Sequence, residues 1–257
     1  MTIFQPKFLT KNYIDAVSEI SDSAGNSDQI KRALFDRNED YQWEGESSGT
    51  RTITWTPGVS TTIDRICLQN TNFEDFTIKY NGGSDFSPAI SITGNSDKNI
   101  YFEFSSQAIN TVEISNTETF TNGETAKLGQ LYIGEEIFEI DSGVGGRIND
   151  ARPVTKQSII PLSDGTFHKI YIRRITNWIL SLTDLTEAER DNFKDLFERN
   201  RREPFFYIPY PRTQSDVWDG LGQHYNWANG HDYLNFTNGL RAAGYDCNVQ
   251  LVQAGGV

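Results

Sequence analysis

The stretch Arg51–Tyr80, RTITWTPGVSTTIDRICLQNTNFEDFTIKY, decides how the first half of the chain is read. Ile53 and Trp55 alternate with threonines, Ile66 and Leu68 with Arg65, Cys67 and Gln69, and Phe76, Ile78 and Tyr80 with Thr77 and Lys79. A period of two sends successive side chains to opposite faces of a strand, one face in and one face out. Pro57-Gly58 and Asn81-Gly82-Gly83 supply turns. The pattern continues downstream. Phe102 and Phe104 flank Glu103, Val112 and Ile114 flank Glu113, and Leu131 and Ile133 flank Tyr132, with turn signals at Gly94-Asn95 and Asn122-Gly123. Many short strands at this spacing predict an antiparallel sandwich. Residues 11–35 are polar and mixed, with room for helical turns.

The second half reads differently. Strand-like stretches run near 154–160 and 167–182, where Trp178, Leu180 and Leu182 alternate. One helix follows at about 186–201. Thr186 and Glu189 have the spacing of a capping box, in which each side chain satisfies a free backbone N–H. Phe193, Leu196 and Phe197 form one apolar face. Asp195 and Arg199, and Glu198 and Arg202, are i,i+4 pairs, with basic residues toward the C-terminal end. Pro204 helps to end the helix, and Phe205–Pro211 continues extended. A last strand carries Cys247, Val249 and Leu251. Strands, one helix, then strands describe a sheet structure with a helix packed on it.

Charge divides the chain at the same place as pattern. Residues 1–146 hold 10 basic and 22 acidic side chains, whereas 147–257 hold 13 of each. Ser142-Gly143-Val144-Gly145-Gly146 suits a flexible connection between a first domain at 1–141 and a second at 147–257. The 257 residues carry a net charge of −12. Such a chain is a poor general binder of nucleic-acid phosphates or of anionic membranes, so neither partner is expected. No apolar run approaches the ~20 residues that span a bilayer. The opening MTIFQPKFLTKNYIDA lacks the apolar core of a cleaved signal peptide. Two cysteines, Cys67 and Cys247, form neither a disulfide framework nor a metal motif and fit a protein made in a reducing cytoplasm.

Leu34–Gly82, LFDRNEDYQWEGESSGTRTITWTPGVSTTIDRICLQNTNFEDFTIKYNG, resembles the galactose-binding-like, or discoidin-type, jelly roll. The shared pattern is an acidic loop, a Trp shortly after it, an apolar strand, then "IDRI-x-L" and "F-x-I-x-Y". Arg174–Pro211, RITNWILSLTDLTEAERDNFKDLFERNRREPFFYIPYP, resembles the tail-tube-like module of bacteriophage distal tail proteins and tail-tip adaptors, which form six-fold rings. Together the resemblances imply a mainly β chain: an N-terminal jelly-roll β-sandwich followed by a tail-tube-like β-sandwich or barrel with one α-helix. They imply a non-enzymatic virion protein of a phage tail tip, assembled in the host cytoplasm. By that resemblance it would be a ring-forming adaptor, a six-fold homo-oligomer, between the tail tube and host-recognition parts. The alternatives are a carbohydrate-binding module that contacts host-surface glycans and a head or neck decoration protein. The order departs from that of common distal tail proteins, in which the sandwich follows the ring-forming module.

Candidate sites follow from both readings. Sugar recognition needs an exposed aromatic face and a few polar groups, and Tyr41 and Trp43 beside the acidic loop are the candidates. A Trp in a sandwich is also a common core residue, so exposure of Trp43 separates the two roles. Asp36, Asn38 and Asp40 alternate as calcium ligands do, although Tyr41 and Ser47 stand where an EF-hand has its glycine and its bidentate Glu. The jelly-roll resemblance implies a structural calcium there, with Glu136 or Glu139 completing the set; no other cofactor is expected. The segment 218–245 is long, Gly-rich and aromatic. Its Trp218, Tyr225, Trp227 and Tyr233 are either anchors for a neighbouring subunit or rings folded into their own domain. Catalytic patterns are scarce. Gly45-Glu46-Ser47-Ser48-Gly49 fits G-x-S-x-G in letters, but a polar stretch precedes it and a strand follows it. His168, His224 and His231 match no standard metal spacing, and the many carboxylates single out no glycosidase pair.

Overall fold

The structure, a computed structural model, describes residues 7–37, 41–121, 123–139, 147–161, 167–200, 203–208, 223–227, 234, 236–238 and 244–254. It is mainly β. The chain divides into two compact units, Met1–Glu139 with Phe205–Gln223 and Gly256–Val257, and Ile140–Pro204 with His224–Gly255. The first contains β1 (Lys7–Leu9), β2 (Ile20–Asp22), the one-turn helix α1 (Asp28–Arg32), β3 (Trp43–Glu44), β4 (Arg51–Trp55) and β5 (Thr61–Thr71). It continues with β6 (Phe76–Tyr80), β7 (Ser84–Ile92), β8 (Asn99–Ile109), β9 (Val112–Asn116), β10 (Lys127–Gly134) and β11 (Glu136–Glu139). The second unit begins with β12 (Arg147–Pro161), β13 (Phe167–Leu185) and α2 (Glu187–Arg199). The chain then returns to the first unit for β14 (Phe205–Ile208). It closes the second with β15 (Gln223–Trp227), β16 (Phe236–Asn238) and β17 (Tyr245–Gln253).

Two antiparallel sheets form the sandwich of the first unit, in the orders β2-β4-β9-β6-β7 and β3-β10-β5-β8. The alternating apolar residues meet in one core: Ile53, Trp55 and Ile78 from the first sheet, Ile66, Leu68 and Phe102 from the second. Each buried side chain of this size contributes roughly 1.5–3 kcal/mol. The turn between β6 and β7 is made by Asn81, Gly82 and Gly83 at φ 46°, 79° and 113°. Positive φ is cheap only for Gly and tolerable for Asn, so these residues fix the turn.

The reading of one face in and one face out holds for β4 and β9 but fails for the second sheet. Cys67, Tyr101 and Tyr132 lie at outward positions of β5, β8 and β10, yet all are buried. The cause is a third, small layer. β1 pairs antiparallel with β11 on one side and with β14 on the other. Leu9, Phe206 and Ile208 cluster with Cys67, Tyr101 and Tyr132, and Phe206 stacks on Tyr132 at 4.5 Å between ring centres. Phe205–Ile208, read from sequence as part of the second domain, therefore belongs to the first unit. Sequence distance concealed this, because the two halves of the layer lie almost 200 residues apart along the chain.

The second unit is one antiparallel sheet, β15-β17-β13-β12, with β16 also paired to β17. Trp178, Leu180 and Leu182 of β13 and Cys247, Val249 and Leu251 of β17 are its buried rows. Thr186 caps α2: its side chain accepts from the Glu189 backbone N–H at 3.2 Å, and Glu189 Oε2 accepts from the Thr186 N–H at 2.8 Å. Phe193, Leu196 and Phe197 are the buried residues of the helix, as the spacing predicts. On the same helix, the Arg190 guanidinium lies 4.4 Å from the centre of the Tyr245 ring.

Candidate functional site

The region around the expected sugar and calcium residues is built from the β2–α1 and α1–β3 connections. Asp22, at the end of β2, closes a turn: its Oδ1 accepts from the Asn26 backbone N–H at 3.1 Å, and its Oδ2 accepts from Asn26 Nδ2 at 3.0 Å. Trp43 Nε1 donates to the same Oδ2 at 2.8 Å. Burial pushes the Asp22 carboxyl upward, but the bonds from Trp43 and Asn26, with Lys31 nearby, outweigh it and hold the group below the usual carboxylate range. This anchor draws the Trp43 ring inward. Trp43 is 0% exposed and meets Phe73 edge-on at 6.3 Å. It offers no ring face to a ligand, which corrects its expected binding role. Tyr41, two residues earlier, is 55% exposed. A two-residue step lands both rings on one side only within a strand, and β3 begins at Trp43.

The four residues expected to hold calcium do not form one set among the described residues. Asn38 and Asp40 lie outside them. Asp36 Oδ1 accepts from Gln130 Nε2 of β10 at 3.4 Å. Glu136 belongs to a different cluster. Its Oε2 accepts from Arg65 Nε at 3.0 Å and pairs closely with Arg65 Nη2, while Oε1 lies 3.5 Å from Lys7 Nζ. A carboxylate whose two oxygens face two cations does not fit a cation cage. The side chain of Glu139, the alternative partner, is not described. No group of three His, Cys, Asp or Glu side chains among the described residues is placed to hold a metal.

That cluster was not singled out from the sequence. Arg65 stands opposite Glu103 in the β5–β8 register and opposite Gly134 in the β10–β5 register. Its Nη2 lies 3.4 Å from Glu103 and its Nη1 3.4 Å from Asp64. Lys7 Nζ reaches Glu103 at 3.9 Å. Arg65 is 8% exposed and Lys7 4%. Burial alone would lower the Arg65 pKa, but Tyr101, Glu136, Asp64 and Glu103 together raise it, so Arg65 is a permanent cation. Charges at the outward positions of β5 and β8 read as solvated because the covering β1 and β14 are remote in sequence.

The expected interface residues also separate. Tyr225 is buried, and its hydroxyl accepts from Trp178 Nε1 at 2.9 Å. It is a core residue of the second unit, which corrects its expected place at a subunit interface. Trp227 lies in β15 opposite Leu251. Trp218 and Tyr233 fall outside the described residues. Ser47 of the formal G-x-S-x-G accepts through its carbonyl from the Phe120 N–H at 2.8 Å, an ordinary loop contact.

No known protein family and no curated protein matches the chain. Among solved structures it is similar to chitosan-binding module 1 of a chitosanase/glucanase from Paenibacillus sp. IK-5. That match has 17% identity and a TM-score of 0.39, and covers 48% of this chain and 97% of that one. A Clostridium perfringens protein solved with GalNAc-β-1,3-galactose matches at 17% identity and a TM-score of 0.35, covering 45% and 93%. A putative α-L-fucosidase from Bacteroides thetaiotaomicron matches at 6% identity and a TM-score of 0.41, covering 49% and 30%. Likenesses this distant transfer no activity.

Proposed function

We propose that the chain is a non-catalytic binding protein whose first unit recognises a surface glycan. The observation that supports this reading is the exposure of Tyr41 at 55%, beside the acidic loop; among the described residues no other aromatic ring is exposed. A phenol ring presents an apolar face for the C–H side of a sugar and a hydroxyl for its polar edge. The half-buried Asp36 of the same loop is held by Gln130 of β10. A glycan array with the whole chain tests the proposal. Wild-type protein should bind a subset of glycans and Tyr41→Ala should lose on the order of tenfold in affinity, as removal of one stacking anchor does. An array without wild-type signal overturns it.

A second reading, compatible with the first, is the phage tail-tip adaptor, in which the second unit assembles into a ring. The run that resembles the tail module folds as a 19-residue strand followed directly by a capped 13-residue helix, which is the strand-then-helix order that the resemblance implies. Neighbouring tail proteins and a six-fold ring are the partners this reading proposes.

A further inference from the structure

The layer over the outer face of the β3-β10-β5-β8 sheet is held in two different ways. β14 is attached by apolar contact: Phe206 and Ile208 pack against Tyr132, Tyr101 and Cys67. β1 adds Leu9 to that cluster and packs the buried Phe8 against Phe205 and Tyr207, but its first residue enters by charge. Lys7 Nζ lies 3.5 Å from Glu136 and 3.9 Å from Glu103, and Arg65 of β5 shares both carboxylates. Asp64 of β5 and Tyr101 of β8 complete the surroundings: Asp64 pairs with Arg65, and the Tyr101 hydroxyl donates to Glu103 Oε2 at 3.3 Å. A buried ion pair gains little net stability over an apolar contact, because both ions lose their water, yet it becomes costly when one partner is removed. β1 is also only three residues long, so few contacts must break for it to open, and local openings cost less than global unfolding.

We infer that β1 is a latched strap that opens separately from the sandwich and gates access to Cys67, with the Lys7 pairs to Glu103 and Glu136 as the latch. With the strap closed, Cys67 is 1% exposed. When it opens, Leu9 leaves the cluster that encloses the thiol, and the facing edges of β11 and β14 lose their shared partner. Cys247, buried in the second unit, is not a member of that cluster and serves as a reference within the same molecule.

The full chain is labelled with 4,4′-dithiodipyridine under native conditions, and each cysteine is followed by peptide mass. Lys7→Met keeps the length of the side chain and removes the latch charge. It should speed labelling of Cys67 on the order of tenfold, the size expected when a local opening loses a charged contact, and leave Cys247 unchanged. Lys7→Arg, which keeps the charge, should restore slow labelling. Equal acceleration at both thiols would mean that the whole chain is loosened, and it overturns the strap, as does an unchanged Cys67 rate. Should Lys7→Met fail to fold, Glu103→Gln carries the test. It weakens the same latch at a more exposed partner, and an unaltered Cys67 rate in that variant also overturns the inference.

Discussion

At the scale of single residues, the same side-chain type is sent to opposite fates by one hydrogen bond. Trp43 and Tyr41 are both aromatic and only two residues apart, yet the bond from Trp43 Nε1 to Asp22 fixes the Trp in the core. Trp43→Phe keeps most of the ring and removes that donor. The expected loss is about 1–3 kcal/mol, the usual cost of removing a hydrogen bond to a charged group, read from denaturant melts. The variant should also change the acid limb. Asp22 is held below its ordinary value when folded. Its contribution is therefore present above the unfolded carboxylate pKa of about 3.9 and is lost as pH falls through the folded value. Trp43→Phe should flatten the fall in stability below about pH 4, and an unaltered acid limb would show that Asp22 is held by its other partners. Gly134 shows the same sensitivity. A Cβ there would run into the Tyr132 hydroxyl and the Thr10 side chain, so the backbone at the end of β10 can lie this close to its neighbours only as glycine.

At the scale of elements, local pattern predicts the existence of strands well and their surroundings less well. The capping box, the apolar face and the end of α2 were all legible, because each depends on residues within one turn of each other. The rows of β13 and β17 were legible for the same reason. What could not be read was that β5, β8 and β10 are covered on both faces, since the cover comes from β1 and β14. This has a direct consequence for dissection of the chain. A fragment of residues 1–141, cut at the composition break, lacks β14 and should uncover Tyr132 and Cys67. It should melt below the first unit of the intact chain and label rapidly at Cys67. Supplying residues 203–210 through a linker should reverse both effects. A fragment that melts like the intact protein and keeps Cys67 protected would show that β14 is dispensable.

At the scale of the whole molecule, the two readings of function make different demands. The acidic first part, with 22 acidic against 10 basic side chains over residues 1–146, repels its own copies and favours outward display in an assembly. The balanced second part imposes no such penalty on close packing. If the chain is a tail-tip adaptor, antibody–gold labelling of purified particles from the source culture should mark the distal end of a tail. Label on heads would replace that role with decoration. Particles without label would remove the virion reading and leave the glycan-binding one. The array therefore tests the ligand of the first unit, and the microscope tests where the whole chain resides.

The class of the fold follows from local residues alone. Period-two alternation, turn residues at Asn81-Gly82-Gly83 and one capped helix depend on local sterics and on which face is apolar, and these are written in neighbouring residues. Which outward positions meet water is set by packing between remote segments. Burial of Arg65 against Glu103 and Glu136, the attachment of Phe205–Ile208 to the first unit and the inward turn of Trp43 and Tyr225 each depend on a partner from another part of the chain. A polar residue at an outward strand position looks the same in sequence whether solvent or another strand lies above it. The physical difference is the covering layer, and that exists only after the chain has folded.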